Sequence, residues 1–280
     1  MRSPRQLIAI ASFLRVCRLD DPHADRAARP LSVQAISHHG VWWQPVCEIL
    51  AFAAERPQKL GSVLSWATEV ERLGIAGFGW GAAWVSSGGG LQCYRNPTNA
   101  ATDVEGMLDL RDTEFTSVLV HLRRPSRLST VDLADTQPFL DEAGRFAFVH
   151  NGRFERDAEH RQRFGALLEG RADSEVGFRL LGSLLDETAP AAALAAVHGT
   201  LGGTANLCCL LPGGQLLLYG GHDGNALYRF RLGELWIACT GLHSDDDSVF
   251  DLVFPDATDR ELIGHEATPL RPGRILSGKA

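Results

Sequence analysis

The sequence predicts an α+β fold, and three observations carry that prediction. Strand-like apolar runs come in groups, from "CEILAFAA" (47–54) to "LWIACT" (235–240). Segments with helical periodicity stand between the groups rather than after every strand. The strands inside a group are divided by short glycine-containing turns, as in hairpins. That order favours layered sheets and helices over a doubly wound parallel sheet.

Taken along the chain, residues 1–46 differ from the rest. "RVCRLDDPHADRAARPLS" is rich in Arg, Asp, Ala and Pro without a sustained period and reads as loop or disorder. From Cys47 a strand is expected. "QKLGSVLSWATEVERLG" then spaces Leu60, Val63, Leu64, Ala67, Val70 and Leu73 helically, with Gly74 as a stop. "AGFGWGAAWVSSGGGLQCYRN" (76–96) predicts two strands around a glycine-rich turn. Further strands are expected in "SVLVHLRR" (117–124) and "RFAFVHNG" (145–152). "DSEVGFRLLGSLLDE" (173–187) predicts a helix with Val176, Leu180, Leu181, Leu184 and Leu185 on one face. "ANLCCLLPGGQLLLYGG", "ALYRFRLGELWIACT" and "RILSG" close the series as hairpin strands.

Composition excludes several classes. The 280 residues are 45% apolar and 22% charged, enough for a sizeable core. A net charge of −7 without a basic stripe argues against a nucleic-acid partner. No apolar run reaches the roughly 18 residues that span a bilayer. "LIAIASFL" (7–14) follows two arginines but is too short, and lacks a cleavage site, for a signal peptide. The six cysteines form no C-x-x-C pair, and Cys208–Cys209 read as small buried hydrophobes, so a reduced cytoplasmic compartment is expected. The His38–His39 pair has no ligand partners at metal spacing, and no cofactor is called for.

Four segments have residue types suited to one chemistry. "VCEILAF" carries Cys47, either a buried strand cysteine or a nucleophile. A thiol is mostly protonated near pH 7, and an α-amine on the same residue, with its pKa of about 7.7–8.0, would serve as base. "HLRRPS" (121–126) alternates so that Arg123 shares a face with Leu119 and His121. Its guanidinium is either solvated at a strand end or a fork for a carboxylate. "FVHNG" (148–152) ends in Asn151–Gly152, either a turn or an oxyanion hole made of a side-chain amide and a backbone N–H. "ADSEV" (172–176) presents Asp173, either a helix N-cap or a carboxylate for an ammonium group. Together they describe a site for an α-amino acid with a side-chain amide.

With "GFGWGAAW" (77–84) and "TQPF" (136–139) added, residues 46–280 resemble a stand-alone class II glutamine amidotransferase domain. The resemblance implies the N-terminal-nucleophile hydrolase fold, a four-layer αββα sandwich of two antiparallel sheets. It implies Cys47 as nucleophile through a γ-glutamyl thioester, and Asn151 with Gly152 as the oxyanion hole. Arg123, Asp173, Trp80 and Ser126 are the implied substrate contacts. The implied substrate is glutamine or a γ-glutamyl amide, with the ammonia used by an accepting partner enzyme or the hydrolysis itself the purpose. Three positions depart from the family's pattern. Gln137 stands where a histidine is usual, Phe78 where an acid commonly precedes Gly-Trp-Gly, and Arg124–Pro125 vary the run after Arg123.

The chemistry needs a free amine on Cys47, yet residues 1–46 precede it. A misassigned start, with Val46 read from an alternative initiation codon, or a removed propeptide would each reconcile the two. The rival function is an inactive member that keeps Arg123 and Asp173 for binding, as an amino-acid sensor or scaffold. An unrelated hydrolase is disfavoured, since no G-x-S-x-G elbow or phosphate-cradling loop occurs.

Overall fold

The computed structural model describes residues 47–271, apart from 74–75, 87, 126–127 and 243–247. Cys17, His38–His39, Gly74, Ser126 and "RILSG" (274–278) therefore lie outside the described residues.

Apolar runs form strands here because both faces of each sheet are covered. The strand β1 (Glu48–Lys59) shows it: Leu50 and Phe52 enter one core, and Ile49, Ala51 and Ala53 another. A strand buried on both faces needs a continuous apolar run rather than alternation, and "EILAFAA" is one. Beyond Ala53 the ladder is irregular, resuming at Gln58, so β1 runs on through the charged "ERPQK".

The strand β1 lies within a seven-stranded antiparallel sheet that also contains β2 (Trp80–Val85), β3 (Leu91–Asn96), β4 (Glu114–Leu122), β9 (Leu227–Leu232), β10 (Leu235–Thr240) and β11 (Thr258–Leu262). The order is β11-β9-β10-β1-β4-β2-β3. A second, five-stranded sheet has the order β12-β8-β7-β6-β5, from β5 (Phe139–Leu140), β6 (Ala147–Arg153), β7 (Thr204–Leu210), β8 (Leu216–Tyr219) and β12 (Thr268–Pro269). Every pairing is antiparallel.

Three apolar layers separate four structural layers. Helix α1 (Gly61–Arg72) buries Val63, Leu64, Ala67 and Val70, the face its spacing predicts, against Phe52, Val118 and Val120 of the first sheet. Between the sheets, Ile49, Ala51 and Leu119 meet Val149, Cys208 and Leu210. On the far side, α4 (Asp173–Leu184) and α5 (Pro190–Leu201) cover Phe146, Phe148 and Cys209 of the second sheet. The expected αββα sandwich is thus observed, and Cys208 and Cys209 are buried on opposite faces of one strand.

Helix α5 is absent from the sequence expectations. Its Ala-rich "PAAALAAVHGTL" has little amphipathic contrast, but proline at its first position and Gly202 at φ +62° after its end mark both boundaries. The short helices α2 (Val104–Leu110), α3 (Asp157–Phe164) and α6 (Ser248–Val253) complete the described chain. No described helix is long and apolar enough to cross a membrane.

Candidate active site

The site assembles where the start of β1 and the end of β4 face β6 and β7 of the other sheet. Cys47 precedes β1 and is half-buried. Its Sγ accepts the Arg124 N–H at 3.3 Å and lies 3.7 Å from the Arg124 carbonyl. Burial pushes the thiol up to about 11, with Glu48 and Asp173 adding to the rise. The Arg124 hydrogen bond and the Arg123 charge oppose it without reversing it. The thiol is therefore protonated at neutral pH and needs a base before it can attack.

Arg123 leaves the end of β4 with its backbone clamped. Its N–H donates to Gly79 at 2.8 Å, and its carbonyl accepts from Phe78 at 3.1 Å. The side chain is buried, which excludes a solvated strand-end arginine. Nη2 donates to Thr130 Oγ1 at 2.8 Å, while Nη1 has no hydrogen-bond partner among the described residues. Burial lowers the guanidinium's pKa, offset by the charges of Cys47, Asp135 and Asp132. A buried guanidinium with an open nitrogen suits an incoming carboxylate.

Asn151–Gly152 is not a turn. The strand β6 continues through both, with Asn151 opposite Asn206 and Gly152 opposite Ala205. The Asn151 amide nitrogen donates to the Cys47 carbonyl, which joins the two sheets at Cys47. Gly152 has φ +129°, and a Cβ there would meet the Thr204 carbonyl oxygen at 2.0 Å, so only glycine fits. His150 turns its N–H and carbonyl toward Gln137.

Asp173 begins α4 but is not its N-cap, which is Ala172. The carboxylate accepts the Phe154 N–H at 2.8 Å and the Ser174 N–H at 3.0 Å. Its charge reaches both the Cys47 thiol and His150.

One implied contact, Trp80, is placed away from the other site residues. Trp80 is fully buried in the core between the first sheet and its helices, where its indole N–H donates to Asp103 at 2.9 Å. It is not brought to Cys47, because odd and even positions of β2 face opposite sides of the sheet. Gln137 has a structural task. Its Oε1 accepts the His150 N–H at 2.6 Å, and its Nε2 donates to the His150 carbonyl at 3.2 Å. The amide extends the β5–β6 ladder by one rung, which takes a donor and an acceptor together and no titratable group.

Several neighbours were missed from sequence. Asp135 is buried and accepts the Arg171 and Ala172 N–H groups at 2.7 and 2.6 Å, pinning the turn that delivers Asp173. Asn206, Asn225, Glu48 and Thr240 form a buried polar network around Cys47. Two histidines are buried beside the site, and burial holds His121 at about 3 and His150 at about 4. Both are neutral near pH 7. His150 Nδ1 lies 2.9 Å from Ser174 Oγ, and its ring stacks on Phe154 with centroids 4.0 Å apart. Among the described residues no group of three or more His, Cys, Asp or Glu side chains is placed to hold a metal ion.

Comparison with known proteins agrees with this geometry. The family model of class II glutamine amidotransferases matches residues 46–238. Among solved structures, the glutamine phosphoribosylpyrophosphate amidotransferase from B. subtilis superposes with a TM-score of 0.61 at 11% identity, covering 80% of this chain and 48% of that one. The allosteric regulatory enzyme of purine biosynthesis gives 0.60 at 12% identity, covering 80% and 49%. The chain thus spans about half the length of these structural relatives. A comparison with curated proteins finds no significant match.

Proposed function

The chain belongs to the class II glutamine amidotransferase family, and from that premise we propose that it hydrolyses the side-chain amide of glutamine or of a γ-glutamyl conjugate. The observation that carries the reading is the joining of Cys47 to Asn151 across the two sheets, beside a buried Arg123 with one open nitrogen.

In this reading the substrate carboxylate pairs with Arg123 and its ammonium with Asp173. The free α-amine of Cys47 takes the thiol proton as Sγ bonds to the amide carbon. The tetrahedral oxygen is held by the Asn151 side-chain N–H and the Gly152 backbone N–H. The C–N bond then breaks, the amine returns the proton, and ammonia or an amine departs. Water hydrolyses the remaining γ-glutamyl thioester, which frees the thiol and releases glutamate.

This reading requires removal of residues 1–46, as a misassigned start or a propeptide, leaving 47–280 as the working domain. We further propose a cytoplasmic protein whose ammonia passes to a partner enzyme, or whose hydrolysis is itself the purpose. The rival reading is a sensor or scaffold, and it applies where the peptide bond before Cys47 persists. A thiol pushed up to about 11, with the nearby histidines neutral, would then lack the α-amine as its base.

Intact mass and N-terminal sequencing of protein made in its native gene context separate the two. They are read with labelling by a diazo- or oxo-norleucine and with ammonia release from glutamine. A chain starting at Cys47 that is labelled there and releases ammonia is the expected result. A chain retaining residues 1–46, unlabelled but still binding glutamine, would replace the hydrolase with the sensor.

A further inference from the structure

The buried amides behind the nucleophile form a directed chain whose orientation is set by backbone. Asn206 lies on β7 opposite Asn151 and is fully buried. Its Oδ1 accepts the Gly221 N–H at 3.2 Å. Its Nδ2 donates to the Asn225 carbonyl at 2.6 Å and to Asn151 Oδ1 at 2.9 Å. A backbone N–H can only donate and a carbonyl only accept, so Asn206 has one workable orientation. Flipping its amide would set N–H against N–H at Gly221 and oxygen against oxygen at Asn225.

The consequence passes to Asn151. With its Oδ1 taken by Asn206, its NH2 group is the end turned toward Cys47, where one N–H meets the Cys47 carbonyl. Among the described residues that NH2 group has no other hydrogen-bond partner. Asn225 closes the loop, its Nδ2 lying 3.2 Å from Glu48 Oε2 and 3.5 Å from the Cys47 carbonyl. A side-chain amide that stabilises a developing anion must present nitrogen, never oxygen, and must already do so before the charge forms.

We propose that Asn206 is a positioning residue for the reaction. Anchored by the Gly221 N–H and the Asn225 carbonyl, it holds the Asn151 amide with nitrogen toward the reacting carbonyl. This rests on the hydrolase reading above. It adds a residue that does not touch substrate, acts only through Asn151, and leaves the Arg123 and Asp173 contacts alone.

The test is a double-mutant cycle in the whole gene, with protein purified as the host processes it. Asn206→Ala, Asn151→Ala and the double variant are checked for folding by thermal unfolding and assayed for glutamine hydrolysis. Asn206→Ala is expected to lower kcat about 100-fold with KM changed less than about threefold. The double variant is expected to fall no further than Asn151→Ala alone. Multiplying losses, or a loss confined to KM, would overturn the proposal. Asn206→Ser, which retains one donor, is the second variant should alanine prevent folding, and its kcat is expected between parent and Asn151→Ala.

A readout independent of turnover separates this idea from the hydrolase reading. In full-length protein labelled with 15N-asparagine, Asn206→Ala or Asn206→Ser is expected to shift the Asn151 side-chain amide signals and speed their solvent exchange at least about tenfold. Unchanged Asn151 signals would overturn the positioning role whether or not the parent hydrolyses glutamine. An inactive parent with shifted Asn151 signals would count against the hydrolase alone.

Discussion

Replacing Gly152 by alanine tests the close approach on which the proposed oxyanion hole depends. The added Cβ would lie 2.0 Å from the Thr204 carbonyl oxygen and 2.8 Å from its carbon. Ordinary contact begins at 3.4 Å, so β6 and β7 would have to part by about 1.4 Å at a backbone atom that cannot rotate away. The φ of +129° adds a conformational cost of about 1–3 kcal/mol for any L side chain. With the steric term, a loss of about 2–4 kcal/mol follows. At about 2–4 °C per kcal/mol for a domain of this size, Tm should fall by roughly 5–15 °C. The assay is calorimetry of the full-length protein, with Gly144→Ala as the control. Gly144 also has positive φ, at +68°, but a Cβ there meets nothing within 4 Å, so about 1 kcal/mol is expected. In folded Gly152→Ala protein, a displacement of about 1 Å at the oxyanion donors should cost about 100-fold in kcat. An unchanged Tm, or equal losses for the two variants, would refute the steric argument.

Four other outcomes follow from the geometry. Gln137→Glu removes the N–H donated to the His150 carbonyl and buries a carboxylate, so about 2–3 kcal/mol should be lost at pH 7. Burial disfavours the charged form of that carboxylate, so the loss relative to the parent protein should be smaller at low pH than at neutral pH. Equal losses in urea unfolding at pH 4.5 and 7.5 would count against the ladder-rung role. Trp80→Phe should cost about 1 kcal/mol through the lost Asp103 contact and leave substrate KM unchanged; a raised KM would return Trp80 to the substrate. His121 and His150, held at about 3 and about 4, titrate near 6.5 when unfolded, so the unfolded chain binds more protons between those values. Stability should therefore fall as pH drops below about 6.5, and a flat unfolding profile from pH 6.5 to 4 would contradict their burial. In protein that retains the peptide bond at Cys47, alkylation of that thiol should keep accelerating toward pH 11, and a plateau near pH 8.5 would show a different environment.

What the sequence revealed depended on whether a residue's role is local. The strand at Glu48 was legible because a run buried on both faces must be apolar throughout. Val118, Val120 and Leu122 fell under the helices and Leu119 between the sheets, as period-two alternation requires. The continuation of β1 through "ERPQK" was hidden, since charges and a proline read as loop until the pairing of Gln58 with Phe115 is seen. Asn206, Asn225 and Asp135 were invisible for a deeper reason. Each is an unremarked polar residue in its own segment, and each matters only for a group distant in sequence that folding brings close: Asn151 on the neighbouring strand and the Asn225 carbonyl for Asn206, Glu48 at the start of β1 for Asn225, and the 171–172 N–H groups for Asp135. Asp173 shows the intermediate case. Its place at a helix start was legible, but its contact with the Phe154 N–H, across the turn from β6, was not.

The electrostatics around Cys47 sharpen the question of its amine. With the thiol near 11, roughly one molecule in 10,000 holds a thiolate at pH 7. Burial dominates that value, and the neighbouring carboxylates of Glu48 and Asp173 push in the same direction. Arg123 pulls the other way, but a substrate carboxylate bound there would cancel that help at the moment of attack. The histidines stay neutral several pH units below working conditions, and His150 is engaged by the Ser174 hydroxyl and stacked on Phe154. A site so disposed against a spontaneous thiolate does not favour direct attack by an anion. Under the proposed hydrolysis, the proton would have to pass, in concert with attack, to a base on the cysteine itself. An α-amine of about 7.7–8.0 meets that need without placing a second charged side chain in the core. Whether Cys47 carries an amine or an amide is therefore the difference between a nucleophile and a buried thiol, and a single peptide bond decides it.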